Sequence, residues 1–215
     1  MLNKQKGNMY NFVTHTWNPI KGECEHFCTY CFMRVFSQKP LHFVEKELKD
    51  DLGENRTIFI GSSTDMFAKS VKSDWIIKVL NHCKEYPKNI YLFQSKNPKR
   101  FYEFIDFFPK DSILGTTIES NRNSNFSDAP EPRERAKAMT MLNNVTMVTI
   151  EPIMDFDLEE LVFLIKTIQP KWVNIGADSK NHNLPEPSKE KILQLIEELK
   201  KFTKVNLKEN LQRLL

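Results

Sequence analysis

The chain has 215 residues, 40% hydrophobic and 27% charged, with 31 Lys and Arg against 28 Asp and Glu for a formal net charge of +3. That balance excludes a disordered or fibrous chain and falls well short of the basic excess of a dedicated nucleic-acid binder. The longest uncharged apolar run is Leu161–Ile165, so a transmembrane helix, which needs roughly 18–20 such residues, is excluded too.

Apolar β-rich runs alternate with helical patterns almost end to end. Phe12–Trp17 reads as a first strand, followed by the loop Asn18–Glu23 and then by three closely spaced cysteines. Thr57–Gly61 is a second strand, stopped by Ser62, Ser63, Thr64 and Asp65. Asp74–Tyr86 carries Trp75, Ile76, Val79, Leu80 and Cys83 at helical spacing, with Ser73 placed as its N-cap. Ile90–Gln94 is a third strand, Lys99–Phe107 a helix and Ile113–Ile118 a fourth strand. Pro132–Leu142 is a helix with Pro in its first turn, where a missing N–H costs nothing. Val145–Ile150 is a fifth strand, Leu158–Ile168 its helix and Trp172–Ile175 a sixth strand. Ser188–Phe202 is a strongly amphipathic helix, and Val205–Leu207 a short seventh strand.

Six βα units of roughly 30 residues imply a parallel sheet with crossover helices. The length suits one domain over residues 1–215. A closed eight-unit barrel needs about 250 residues, so the expected fold is α/β, an open or partial (βα)6 TIM-like barrel. Its functional residues belong at the C-terminal ends of the strands. Those ends carry Asn18, Ser62 to Asp65, Ser95 and Lys96, Glu119 to Asn121, Glu151 and Asp178.

The sharpest signal is Cys24-Glu25-His26-Phe27-Cys28-Thr29-Tyr30-Cys31, a C-x3-C-x2-C triplet with an aromatic residue before the last cysteine. Three thiolates at this spacing can hold three irons of a cubane and leave the fourth iron without a protein ligand. A structural zinc site is the alternative, but it calls for four closed ligands and the chain has no second pair of cysteines. His26, between the first two cysteines, would make a cramped fourth ligand. Free thiols are the remaining reading. The amino-terminal residues lack the apolar core of a signal peptide, and the expected compartment is the cytoplasm, where a disulfide framework is not expected.

At these residues the chain resembles the radical S-adenosylmethionine (SAM) superfamily, whose hallmark is C-x3-C-x-(aromatic)-C in the loop after the first strand of a partial barrel. Trp17-Asn18-Pro19, Gly61 to Asp65, Ser95-Lys96-Asn97-Pro98, Thr149-Ile150-Glu151-Pro152 and Leu207-Lys208-Glu209-Asn210 look more closely like a phage-associated, largely uncharacterised branch, remotely similar to spore photoproduct lyase. The resemblance runs from about residue 10 to 210 and implies one [4Fe-4S] cluster on Cys24, Cys28 and Cys31. SAM would chelate the open iron and be split reductively to a 5′-deoxyadenosyl radical that takes hydrogen from a substrate.

The same resemblance distributes roles. Tyr30 and Phe32 flank the cluster, the former near the adenine. Ser62, Ser63 and Thr64, with Asp65, replace the family's glycine-rich segment that receives the SAM amino group. Ser95 and Glu119 are placed for the ribose hydroxyls, and Arg122 or Arg133 for the SAM carboxylate. Substrate is expected near Asp65, Lys96, Glu151, Asp178 and Lys208, and a flavodoxin or ferredoxin-type protein as electron donor. The expected substrate class is a nucleoside, nucleotide or nucleic acid. The rivals are a zinc-stapled nucleic-acid-binding module without catalysis and a cluster-free barrel hydrolase using the strand-end carboxylates.

What remains is read as structure. Cys83 lies on the apolar face of its helix as a buried thiol, and a single leftover cysteine cannot hold a second cluster. His15, His42, His82 and His182 have no metal-ligand spacing, and the short basic clusters at Lys96 to Arg100, Arg133 to Lys137 and Lys200 to Lys204 read as solvated helix faces.

Overall fold

The computed structural model describes residues 1–215. Its main sheet has eight strands in the order β1 (Asn3–Lys4), β2 (His15–Trp17), β5 (Thr57–Ile60), β6 (Ile90–Gln94), β7 (Ser112–Thr117), β8 (Val145–Ile150), β9 (Trp172–Ile175) and β10 (Lys204–Leu207). From β2 to β10 every pairing is parallel, while β1 runs antiparallel along β2. The first and last strands do not pair with each other, so the sheet curves without closing. A separate two-stranded ribbon, β3 (Ile20–Lys21) with β4 (His42–Phe43), brackets the cysteine loop.

Helices cover the outer face: α1 (Ser73–Lys84), α2 (Pro132–Met139), α3 (Leu158–Ile168) and α4 (Lys189–Lys200). Strand alternation sorts the side chains. Ile58, Ile60, Tyr91, Phe93, Leu114, Val148, Ile150, Val173 and Ile175 join the helices in the large core. Phe59, Leu92, Ile113 and Met147 face inward and pack with Tyr10 and Val13 in a second, smaller cluster. Period two then carries Gln94, Thr117, Thr149 and Asn174 to the inner face, nearer the C-terminal ends. The inner layer there is polar: Gln94 Nε2 donates to Thr117 Oγ1 at 3.0 Å and Asn206 Nδ2 to Asn174 Oδ1 at 3.2 Å.

The larger departures from the expected elements are these. Phe12 and Val13 do not extend the first strand, because residues 5–13 cross the open side of the barrel. Phe12 stacks on Tyr10 with ring centroids 5.5 Å apart and meets the edge of Trp172 at 5.2 Å. Ser73 is the first residue of α1 and not its cap; its hydroxyl accepts from Arg100 Nη2 at 3.2 Å. Residues Pro98–Phe107 form a kinked 3-10 helix, because the core residues Phe101 and Phe104 repeat every three residues, which is the 3-10 period. The helix at 132 stops at Met139, three residues short of Leu142. The strand β1, the ribbon and the 3-10 turns at Phe32–Val35, Glu45–Lys49 and Glu209–Leu214 are too short to leave a periodic trace.

Candidate functional site

The three cysteines lie between β3 and the short helix that begins at Phe32, at the C-terminal end of the parallel strands. All are free thiols and partly exposed. Burial pushes the Cys24 thiol up to about 11 and raises Cys31 as well, so without a metal both are protonated at neutral pH. The loop is fixed at several points. Gly22 enters it at φ +105, and a Cβ there would stand 2.5 Å from the Pro40 carbonyl oxygen, so only glycine fits. Glu25 accepts the backbone N–H groups of Lys69 and Ser70, the latter at 2.8 Å. His26 is buried, and its Nε2 lies 2.9 Å from Asp65 Oδ2. Thr29 N donates to Phe126 O and Asp128 N to His26 O, each at 2.8 Å.

These contacts bear on which metal the loop could hold. His26 is committed to Asp65 and does not join the thiols. No group of three or more His, Cys, Asp or Glu side chains converges on a single-ion position. Zinc would draw its ligands to about 2.3 Å from one point, whereas the thiolates of a cubane each hold a different iron and stand farther apart. The donor set, three thiolates with no fourth protein ligand, fits the cluster.

Asp65, at the end of β5, is a scaffold. Its Oδ2 accepts from His26 Nε2, Ser95 Oγ (2.9 Å) and Lys96 N (2.8 Å), and its Oδ1 from Phe67 N (2.9 Å). Burial alone would raise its carboxyl, but the hydrogen bond and charge of His26, with the Lys96 N–H and Ser95 hydroxyl, outweigh burial and lower it. Both oxygens of Asp65, expected to lie near substrate, are thus engaged by donors from within the protein. Ser95 is occupied likewise, donating to Asp65 and accepting from Asn97 N at 2.8 Å, which leaves little for a ribose. In the preceding segment, Thr64 Oγ1 donates to Gly22 O at 2.9 Å, Ser62 Oγ donates to Asn18 Oδ1 at 3.2 Å, and the Ser63 hydroxyl has no protein partner.

A second hub centres on Glu119, at the end of β7. Its Oε1 accepts from Tyr30 OH at 2.7 Å and from Lys96 Nζ, and its Oε2 from Arg135 Nη1 at 2.9 Å. Lys96 Nζ also donates to Tyr30 OH at 2.5 Å and lies 4.5 Å from the Tyr30 ring centroid. Burial opposes ionisation of Glu119, yet Arg135 and Lys96 outweigh it and hold the carboxyl far below its usual range. Two cations share this one carboxylate, so the hub carries an uncompensated positive charge. Arg135 is buried, and its Nε has no partner. It lines a cavity of about 250 Å³ together with Tyr30, Glu119, Ser120, Arg122 and Met154. Arg122, expected to receive a carboxylate, is already bound by two: Nη1 is 2.5 Å from Asp155 and Nη2 2.6 Å from Asp157. Arg133 is paired with Glu160 at 2.8 Å. Phe32, expected to flank the cluster with Tyr30, is more than half exposed.

The third group lies across the mouth, at the ends of β8 and β10. Glu151 Oε2 accepts from Lys208 Nζ at 2.7 Å, and Oε1 from Asn8 Nδ2 and Asn210 Nδ2, each at 2.9 Å. Gly176 makes room for it, since a Cβ there would stand 2.7 Å from Glu151 Oε1. Asn210 Oδ1 is buried without a partner. Below, the Tyr10 hydroxyl donates to Gln94 Oε1 and exchanges a bond with Thr149 Oγ1, both at 2.8 Å, and burial raises its ionisation. Asp178 does not join this group; it accepts from its own loop, including His182 Nδ1 at 2.6 Å. Sequence reasoning missed His26 as a brace, Arg135 as the cation with a free N–H, and Tyr10, Asn8 and Asn210. For Arg135 the sole available signal was a charged residue facing the sheet side of a short helix.

No curated protein sequence matches the chain. The chain belongs to the family described as "Protein of unknown function (DUF5131)", which matches residues 8–205. Solved structures of spore photoproduct lyase share its fold. A cysteine mutant of that enzyme with bound AdoMet and dinucleoside spore photoproduct superposes with a TM-score of 0.68 at 9% identity, covering 94% of this chain and 78% of that one. The complex with dinucleoside spore photoproduct gives a TM-score of 0.66 at 9% identity, covering 95% and 78%. At such identity the likeness establishes the fold: an α/β partial barrel with a mostly parallel sheet.

Proposed function

We propose that this member of the DUF5131 family is a radical SAM enzyme of the cytoplasm, holding one [4Fe-4S] cluster on Cys24, Cys28 and Cys31 and acting on a nucleoside, nucleotide or nucleic acid. The observation that carries the reading is the cysteine triplet in the loop after the first parallel strand, with the nearest further ligand, His26, taken up by Asp65. The bound AdoMet and dinucleoside of the structural neighbours agree with it. The cluster, with SAM bound, supplies one-electron cleavage of the sulfonium to a 5′-deoxyadenosyl radical.

The chain's own residues then have the following parts. Tyr30 is held against Lys96 and Glu119 and forms a wall for the nucleoside part of SAM. Ser63, with its unpartnered hydroxyl, and the backbone of the Ser62–Thr64 segment accept from the ammonium. Arg135, with an N–H free and a net positive surrounding, takes the carboxylate in place of Arg122. Glu151 and Lys208, with Asn210, bind the substrate on the facing side, where the orphan Asn210 Oδ1 calls for a donor. A flavodoxin or ferredoxin-type protein supplies the electron.

Anaerobic purification and incubation of the reduced protein with SAM tests the reading. Expected are about four irons and four sulfides per chain, a count set by the cubane itself, and conversion of SAM to 5′-deoxyadenosine and methionine. Cys24→Ala, Cys28→Ala and Cys31→Ala should each abolish the cluster, and Cys83→Ala should keep it. A colourless protein with one zinc, or S-adenosylhomocysteine as sole product, would overturn it.

A further inference from the structure

Asn8 stands at the apex of a tight turn in which Met9 N donates to Gly7 O at 2.8 Å. It is an exposed residue, yet it is bonded at two points to the Glu151 cluster. Its side-chain Nδ2 donates to Glu151 Oε1 at 2.9 Å and, at 3.4 Å, to Ser179 Oγ, while its main-chain oxygen accepts from Lys208 Nζ at 2.7 Å. One residue thus offers an amide N–H to a carboxylate and an amide C=O to the ammonium beside it. Glu151 Oε2 and Lys208 Nζ are themselves 2.7 Å apart.

The charged pair is held firmly and Asn8 is not. Lys208 Nζ lies 4.9 Å from the centroid of the Tyr10 ring, whose hydroxyl is fixed by Gln94 and Thr149. Asn210 Nδ2 grips Glu151 Oε1 at 2.9 Å and Ala177 O at 2.6 Å. The Lys208 and Glu151 side chains are only 10% and 17% exposed, so each would lose a partner that water replaces poorly if Asn8 left. The turn carrying Asn8 has space around it: Gly7 stands at φ +67, and a Cβ there would meet nothing within 4 Å. Whatever displaces Asn8 must bring the same N–H and the same C=O.

We infer that Glu151 and Lys208 read the lactam edge of a nucleobase, an adjacent ring N–H and C=O, and that Asn8 fills this place until the base arrives; the inference rests on the proposed nucleoside, nucleotide or nucleic-acid substrate. Uracil, thymine, hypoxanthine and guanine carry such an edge. Adenine and cytosine carry an amino group beside an unprotonated ring nitrogen, so donor and acceptor exchange places. The lactam matches what Asn8 supplies: Lys208 meets a carbonyl oxygen, and the carboxylate meets an amide N–H. A peptide group holds the same atoms, but in the trans form its N–H and C=O point in opposite directions. They cannot both reach a carboxylate and an ammonium that touch each other. In a ring lactam the two lie on one edge.

The test is a titration of the purified protein, with and without reconstituted cluster, against uridine, cytidine, inosine and adenosine 5′-monophosphates, read by ligand-observed NMR. Uridine and cytidine, like inosine and adenosine, differ only in the edge. The wild type should favour uridine over cytidine and inosine over adenosine by about 10-fold. Glu151→Gln, of the same shape, should remove most of both preferences. Asn8→Ala should bind uridine monophosphate about 5-fold more tightly, because one competing hydrogen bond is gone. Equal affinity within both pairs, the reverse preference, or no binding of any of these nucleotides overturns the inference. So does a preference that survives Glu151→Gln, or weaker uridine monophosphate binding in Asn8→Ala. Displacement of uridine monophosphate by equimolar N-acetylglycinamide would assign the pair to a peptide and overturn it as well. Iron content and 5′-deoxyadenosine formation judge the proposed function separately: if both fail, that reading falls, and the apoprotein titration still decides which edge the pair reads.

Discussion

His26 Nε2 lies 2.9 Å from Asp65 Oδ2, so the middle of the cysteine loop is bolted to the end of β5 by a contact shielded from water. Asp65 in turn holds Ser95 and the Lys96 backbone, and through them the loop is in register with two strands. Asp65→Asn keeps the shape but removes the charge and one acceptor facing His26. The expected result is loss of iron on dilution or chelator challenge at least several-fold faster than wild type, with the circular dichroism spectrum retained. Unchanged iron retention would show the brace to be dispensable.

Glu119 is expected to be among the most sensitive positions in the chain. Replacing it by Ala leaves Lys96 and Arg135 both buried and uncompensated, a change that costs about 3–5 kcal/mol in comparable buried pairs. Urea denaturation measures this directly. A Glu119→Ala, Lys96→Met double variant should recover part of the loss, because one of the two stranded charges is gone.

The same two carboxylates set the acid limb of stability. Both Asp65 and Glu119 ionise below their unfolded values, so the folded state binds fewer protons than the unfolded state. Their contribution is fully present above about pH 4–5, the unfolded carboxylate range, and is lost as pH falls through it towards the folded values. Denaturation curves should show stability dropping steeply below about pH 4.5, with a shallower slope in Glu119→Gln. Equal slopes would remove Glu119 from the explanation.

Arg135→Lys keeps the positive charge but lacks the Nε donor. With a reconstituted cluster it should bind SAM about 10-fold more weakly, the effect of losing one charge-assisted hydrogen bond, at unchanged iron content. Arg122→Ala should leave SAM affinity within about two-fold, since that side chain is consumed by Asp155 and Asp157; the scale here is a small fraction of one such bond. The opposite ranking would return the carboxylate to Arg122.

Gly176→Ala tests the facing cluster separately. The added methyl would meet Glu151 Oε1 at 2.7 Å and Asn210 Oδ1 at 2.9 Å, so Glu151 must move, at about 1–3 kcal/mol for overpacking. SAM binding should survive and turnover on substrate should fall. Loss of both would mean that the two halves of the mouth are not independent.

The parallel order and the placement of the cysteine loop were legible because long β-rich runs such as Val145–Ile150 and amphipathic helices such as Leu158–Ile168 carry a clear period, and because three cysteines in eight residues have few explanations. The inner polar layer was not legible. Gln94, Thr149 and Asn174 are scattered polar residues in mostly apolar strands; alternation sets the face each takes within its own strand, but only the pairing and curvature of the sheet bring them together. Arg135 and Arg122 look alike in sequence. What separates them is tertiary: Asp155 and Asp157, more than 30 positions away from Arg122, neutralise one guanidinium, while Arg135 shares the single carboxylate of Glu119 with Lys96 and keeps its Nε without a partner.

The crossing of residues 5–13 over the barrel's open side has a kinetic consequence. Lys208 Nζ donates to Asn8 O at 2.7 Å, across a separation of 200 residues, and Glu151 Oε1 accepts from Asn8 Nδ2 across 143. Contacts of such long range are reached late, after the loop-closure entropy of the whole chain has been met. The sheet can therefore grow strand by strand from β2, while its lateral gap stays open until β10 is in place. Seam closure is therefore expected to come last in folding, and the interval before it is when the inner face is most exposed to wrong partners.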